Sequence, residues 1–253
     1  MSIDLPPAYD DLTFLSPLSE QRATGLVDFL AAARPATVLD LGCGWGELLL
    51  RVVERVPGAS GRGVDRDESA LAHGRDLARA RGLAGRVSFE SADIRALTEP
   101  ADAVICIGAS QIWGDPVEAA GPLDYVAALP ALRTLLPRGG RLVYGEGIWS
   151  RPPTAAATAP LAGRDDEYVD LGTLTRLATD HGFAVLGAGE ATLDEWDEFE
   201  GGFTAGYARW LLDHAADHPD AEEVRGLAAR QRTAYFDGYR GVLGLAYLRL
   251  VAL

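Results

Sequence analysis

The residues best able to do chemistry in this 253-residue chain are gathered at one turn, with two further acids downstream. Asp40-Leu41-Gly42-Cys43-Gly44-Trp45-Gly46 closes an apolar run and opens an amphipathic one. Glycines at such a turn let the backbone approach a ligand closely. In open α/β sheets, ligands bind beyond the carboxyl ends of the strands, beside the first strand. A second apolar segment ends in Asp65, 19 residues after Gly46. A carboxylate there can accept both hydrogen bonds of a ribose diol, so a nucleoside-bearing cofactor is expected. The dinucleotide fingerprint is G-x-G-x-x-G, whereas this turn reads G-x-G-x-G with an acid two residues ahead. Asp40 would repel a pyrophosphate and suits a cofactor carrying an ammonium and a sulfonium group. A nicotinamide enzyme is therefore the weaker reading.

The second acid is Glu146, in Tyr144-Gly145-Glu146-Gly147-Ile148-Trp149, where a strand ends at the sheet edge that would hold the cofactor. It is the candidate general base or amine-binding group; holding the following loop is the alternative. Five acids in seven residues, Asp194 to Glu200, read as a helix N-terminus whose dipole favours negative charge, or as a lid attracting a cation. No His or Cys joins them, so no metal site is expected. The histidines are weaker candidates: His73 is expected to face solvent, His181 to end a helix, His214 to lie in the helices before the last strand, and His218 to sit in a turn.

The elements positioning these residues alternate. Strands are read at 37–41, 62–65, 87–90, 101–107, 141–145 and 183–190, with a final apolar run at 243–253. Helices are read at 16–33, capped by Ser16, at 47–56, 67–81 and 170–181, and at about 122–136 with a break at Pro130. Such alternation defines an α/β fold with a mostly parallel, Rossmann-like sheet and helices on both faces. Residues 193–240 read as a helical cap inserted before the last strand, with Trp196, Phe199, Phe203, Tyr207 and Trp210 on one face. Residues 150–168 read as an irregular excursion, and Tyr9 to Phe14 as a segment able to close over the cofactor.

At this point the sequence resembles the class I S-adenosylmethionine-dependent methyltransferases. Asp40-x-Gly42-x-Gly44-x-Gly46 resembles their first motif and Gly63-Val64-Asp65 their second. Ser91-Ala92-Asp93-Ile94 resembles their adenine loop, and Leu135-Leu136-Pro137-Arg138-Gly139-Gly140-Arg141-Leu142-Val143 the lead into strand five. The resemblance covers about residues 14–190 and the terminal strand. It implies seven strands, the last antiparallel, in one methyltransferase domain over 1–253: a core of 14–190 plus 241–253, and a cap of 193–240. It implies S-adenosylmethionine as cofactor, held by Asp40, Gly42, Cys43, Gly44 and Gly46, with Asp65 on the ribose and Asp93 on the adenine amino group. Arg66 and Ile94 would flank the adenine, and Ile107 would end strand four beside the cofactor. Trp113 would lie near the transferred methyl, with Trp149, Trp196, Phe199 and Tyr207 as further acceptor contacts. Methyl transfer to oxygen or nitrogen of a small molecule is expected. A regulator or cyclase that binds the cofactor without transferring a methyl is the alternative.

Composition narrows the field. All 23 basic residues are arginines, which excludes a Schiff-base or phosphate-loop lysine. The net charge of −14 argues against a nucleic-acid substrate. An apolar fraction of 48% and a charged fraction of 24% are those of a globular chain. No apolar run approaches the ~20 residues of a membrane span, and no secretory leader is read at Met1-Ser2-Ile3-Asp4. Two cysteines in apolar contexts, Cys43 and Cys106, make a cytoplasmic protein the simpler expectation. A homodimer is the base-rate expectation for assembly.

Overall fold

The computed structural model describes residues 3–114 and 122–253, so Met1 and Ser2, which open the stretch read for a leader, lie outside it. Its strands are β1 (Thr37–Leu41), β2 (Ser60–Asp65), β3 (Val87–Ser91), β4 (Ala103–Ile107), β5 (Arg141–Trp149), β6 (Phe183–Glu190) and β7 (Leu243–Ala252). They form one open sheet in the order β3-β2-β1-β4-β5-β7-β6. β1 to β5 pair in parallel, and β7 runs antiparallel between β5 and β6. The order reverses at β1, which places a crevice between the ends of β1 and β4.

Side-chain alternation along the strands sorts the core into two layers. Val38, Phe89, Ile105, Val143, Leu245 and Tyr247 face α1 (Glu20–Ala31), α2 (Glu47–Arg55) and α3 (Glu68–Ala80). Leu39, Val104, Cys106, Leu142, Tyr144 and Ile148 face α4 (Tyr125–Thr134) and α6 (Leu171–Asp180). Between these helices the short α5 (Ala155–Thr158) occupies the excursion after β5. The expected cap is α7 (Leu193–Asp213) and α8 (Ala221–Thr233), followed by a π-helical turn at Ala234–Tyr239.

Three boundaries differ from expectation, each for a physical reason. α1 begins at Glu20, because Ser19, not Ser16, accepts from the Arg22 N–H. Residues 8–17 are left outside the helix as a strap, a 3-10 turn at Ala8–Asp10 followed by successive bends at 13–17. Pro130 sits within α4 without breaking it, the burial of Leu129 and Leu132 outweighing one lost hydrogen bond. β5 continues to Trp149, because β7 pairs with it from Arg141 to Trp149. Glu146 to Trp149, read as a strand end, is thus interior sheet.

Candidate cofactor and acceptor site

The glycine turn forms because its backbone demands glycine. Gly42, Gly44 and Gly46 take φ of 69°, 54° and 69°. A Cβ on Gly42 would come within 2.7 Å of the Ala109 Cβ, and one on Gly46 would overlap Phe89. Asp65 fixes the turn from the next strand: its Oδ2 accepts the Gly44 N–H at 2.7 Å, and its Oδ1 accepts those of Arg66 and Asp67. The loop after β4 closes against the same turn through the Ala109–Gly42 contact.

A cavity of about 630 Å³ opens here. Asp40, Gly42, Cys43, Gly46, Asp65, Arg66, Ile94 and Ile107 line it, so eight of the ten expected cofactor residues share one wall. Gly44 belongs to the turn but not to the lining. Asp93 also lies off it, its carboxylate taken bidentately by Arg95 at 3.1 and 2.9 Å. Arg95 stands in the wall in its place, and its hydrogen bonds hold the Asp93 pKa down at about 2.

Asp40 carries the chemistry of this wall. It is 5% exposed, and its carboxyl makes no hydrogen bond to another described residue. Burial, with the nearby Asp65 charge, pushes its pKa up to about 8. A buried carboxyl with no protein partner is costly unless a ligand supplies one. A cation at this point satisfies it, which fits the ammonium and sulfonium of S-adenosylmethionine and does not fit a pyrophosphate. Burial likewise pushes the Cys43 thiol far up, so Cys43 is a packing group rather than a nucleophile.

The other wall is apolar. The strap supplies Phe14, Leu15, Ser16 and Pro17; α7 supplies Trp196 and Phe199; β7 supplies Leu245. The strap is tied down on both sides. The Trp45 indole donates to the Thr13 carbonyl at 2.9 Å, and Tyr9 stacks on His73 at 4.0 Å. Arg209 of α7 pairs with Asp10 and Asp11, and a Cβ on Gly202 would overlap Leu12. The start of α7 is anchored by Glu195, which accepts from Ser19, Thr192 and Arg22. Burial opposes its charge, but these hydrogen bonds, Arg22's first, outweigh it and hold the pKa at about 2.

Several expected site residues lie elsewhere. Glu146 faces the α4 side of the sheet, opposite to Ile105, because strand alternation puts it with Tyr144 and Ile148. It is 4% exposed, does not line the cavity, and accepts the Ser110 and Gly147 N–H groups, both at 2.9 Å. Its reading as a base or amine site is therefore corrected. Burial still raises its pKa. Trp149 is buried against Tyr168 and donates to the Asp165 carbonyl; Trp113 packs on the α4 layer; Tyr207 packs with Trp210 and Val224. None of the three lines the cavity. His73 is half-buried under Tyr9 rather than solvated. Sequence reasoning includes Phe14 in the segment able to close over the cofactor but misses Leu15 to Pro17, since Ser16-Pro17 reads as a helix start. It also missed Ile105 and Leu245, which the alternation of β4 and β7 could have located.

The comparisons bear on the fold and the family. A family described as "Methyltransferase domain" matches residues 38–140. The demethylmenaquinone methyltransferase of Thermus thermophilus is 37% identical over 160 residues, 62% of this chain and 67% of that one. A ubiquinone/menaquinone biosynthesis C-methyltransferase of Serratia proteamaculans is 28% identical over 87% of this chain and 76% of its own. The chain spans 49% of a third relative, a methyltransferase of Aspergillus campestris 29% identical over 70% of this chain. Among solved structures, an S-adenosylmethionine-dependent methyltransferase of Geobacter sulfurreducens, in complex with S-adenosylhomocysteine, superposes with a TM-score of 0.82 at 26% identity, covering 100% of both chains. The chain belongs to the class I S-adenosylmethionine-dependent methyltransferases, and S-adenosylmethionine is its cofactor.

Proposed function

We propose that this methyltransferase acts on a small, uncharged and largely apolar acceptor, held between the strap and α7. The observation carrying this reading is the chemistry of that wall. Phe14, Leu15, Trp196, Phe199 and Leu245 surround it, and the nearby Glu47 is closed off by Arg51 at 2.7 Å and Arg81 at 2.6 Å. Among the described lining residues, the charges without a side-chain ion pair are Asp40, Asp65 and Arg66, all at the cofactor end. A polyanionic acceptor would need cations where this wall has rings. The chain's net charge of −14 points the same way.

When bound, S-adenosylmethionine supplies a methyl group already activated on a positively charged sulfur. Asp40 faces that positive end. Phe14, Leu15, Trp196 and Phe199 exclude water and orient the acceptor, which is where rate is gained when no proton must be removed by the protein. No described lining residue on the acceptor wall is free to act as a base. The fitting nucleophile is thus an electron-rich ring carbon or an oxygen that ionises unaided. The names of the Thermus and Serratia relatives support a ring substrate, and the latter supports carbon as acceptor, beside the oxygen and nitrogen expected from sequence.

The test is calorimetric titration of the chain saturated with S-adenosylhomocysteine, using 2-naphthol, trans-aconitate and spermidine as neutral, anionic and cationic probes. The reading expects 2-naphthol alone to bind. Selective binding of either charged probe overturns it. Once an acceptor is found, S-adenosylhomocysteine must accumulate with product; conversion without it would make the chain a cyclase-type protein on this fold.

A further inference from the structure

The buried carboxylate of Glu146 is not in the acceptor chamber, yet it is tied to the cofactor wall by one step. Its Oε2 accepts the Ser110 N–H and its Oε1 the Gly147 N–H, each at 2.9 Å. Ser110 follows directly on Gly108 and Ala109, which line the cavity, and Gln111 and Ile112 line it further along. Ala109 is the residue packed so closely on Gly42 that a Cβ there would come within 2.7 Å. A second bond, Gly108 N–H to the Gly145 carbonyl at 2.8 Å, starts the same loop from β5. Beneath it, Ser110 Oγ meets the Tyr144 hydroxyl at 2.5 Å and the Tyr125 hydroxyl donates to the Gly147 carbonyl at 2.6 Å.

We propose that Glu146 is a positioning residue for cofactor binding: a two-acceptor clamp on the sheet's far face that sets the loop Gly108–Ile112 against the glycine turn. A carboxylate suits this role because both of its oxygens accept. Glutamine offers one acceptor and one donor, so one of the two buried N–H groups would confront an N–H and lose its partner. An orphaned buried donor costs on the order of tenfold in an equilibrium. The cost falls on the closed loop, and hence on the cofactor that the loop and turn enclose together.

The experiment compares Glu146→Gln and Trp149→Phe with the unaltered chain, by calorimetric titration with S-adenosylhomocysteine well below the unfolding midpoint. Trp149→Phe removes a buried hydrogen bond of the same strand, to the Asp165 carbonyl, without touching the clamp or the loop 108–112. The proposal expects Glu146→Gln to weaken binding about tenfold and Trp149→Phe to leave it within about twofold. Equal affinity in Glu146→Gln overturns it, as does equal weakening in both variants, which would be a general packing effect. Absence of binding by the unaltered chain would instead strike at the cofactor assignment. Hydrogen exchange of the unaltered, ligand-free chain provides a test that needs no variant to fold. The Ser110 amide is expected to exchange about as slowly as those of β5, and exchange at the rate of exposed loop amides overturns the clamp.

Discussion

At the scale of single residues, Asp40 is where the fold accepts a cost that its ligand removes. Its pKa lies at about 8 in the folded chain, against the ordinary 3.8. Across that interval the folded chain keeps a proton that the unfolded chain has released. Stability without ligand therefore falls as pH rises from about 4 to about 8, and flattens above it. Asp40→Asn lacks this slope, so its melting temperature should gain on that of the parent between pH 5 and 8. The same variant should bind S-adenosylhomocysteine about 10- to 100-fold more weakly, since a buried charged hydrogen-bond partner to the ammonium is lost. Cofactor binding ionises Asp40, so calorimetry near pH 7 in buffers of different ionisation enthalpy should register proton release. Gly42→Ala makes a harsher test: with φ at 69° and Ala109 in the way, it should abolish binding, read by the same titration.

At the scale of elements, the site is an assembly of pieces distant in sequence. Glu195 joins the start of α7 to that of α1, gathering hydrogen bonds from Ser19, Arg22 and Thr192. Its pKa of about 2 means that this stabilisation is present above the ordinary carboxylate range and is lost as pH falls through about 2. Glu195→Gln should cost ~1.5–3 kcal/mol in chemical denaturation, the range for hydrogen bonds to a charged group. Arg209→Ala should release the strap from α7 while leaving the sheet intact. Limited proteolysis would then cut near residues 8–14, and S-adenosylhomocysteine would slow the cleavage. This scale also explains what could be read in advance. Strands, glycine turn and Asp65 are specified locally, by apolar runs, by φ and by caps, and were legible. Of the strap, Tyr9 to Phe14 is legible as a covering segment, but Leu15 to Pro17 is not, because a contact 176 residues away decides where α1 starts. Glu146 was misread for a similar reason: only its pairing with β7 makes it strand, and only strand alternation turns it away from the cavity.

At the scale of the whole molecule, cofactor and protein stabilise one another. With ligand at 100 times its dissociation constant, folding should gain about 2.7 kcal/mol, which for a chain of this size is on the order of 5–10 °C in melting temperature. Differential scanning calorimetry with S-adenosylhomocysteine, and with NAD as control, measures it. NAD should give no shift, since Asp40 stands where a pyrophosphate would lie.

The strap lies between the glycine turn and α7 and is fastened to both, by Trp45 and Tyr9 on one side and by Arg209 on the other. These fastenings make the strap a cover over one side of the cavity, held at both ends. The expected outcome is that departure of the methylated molecule, which needs this cover to move, sets the pace of turnover. Such an enzyme slows in proportion to solvent viscosity and shows a burst of product in its first cycle. Cutting the Arg209 tether should quicken steady turnover and abolish the burst, at the expense of water reaching the sulfonium.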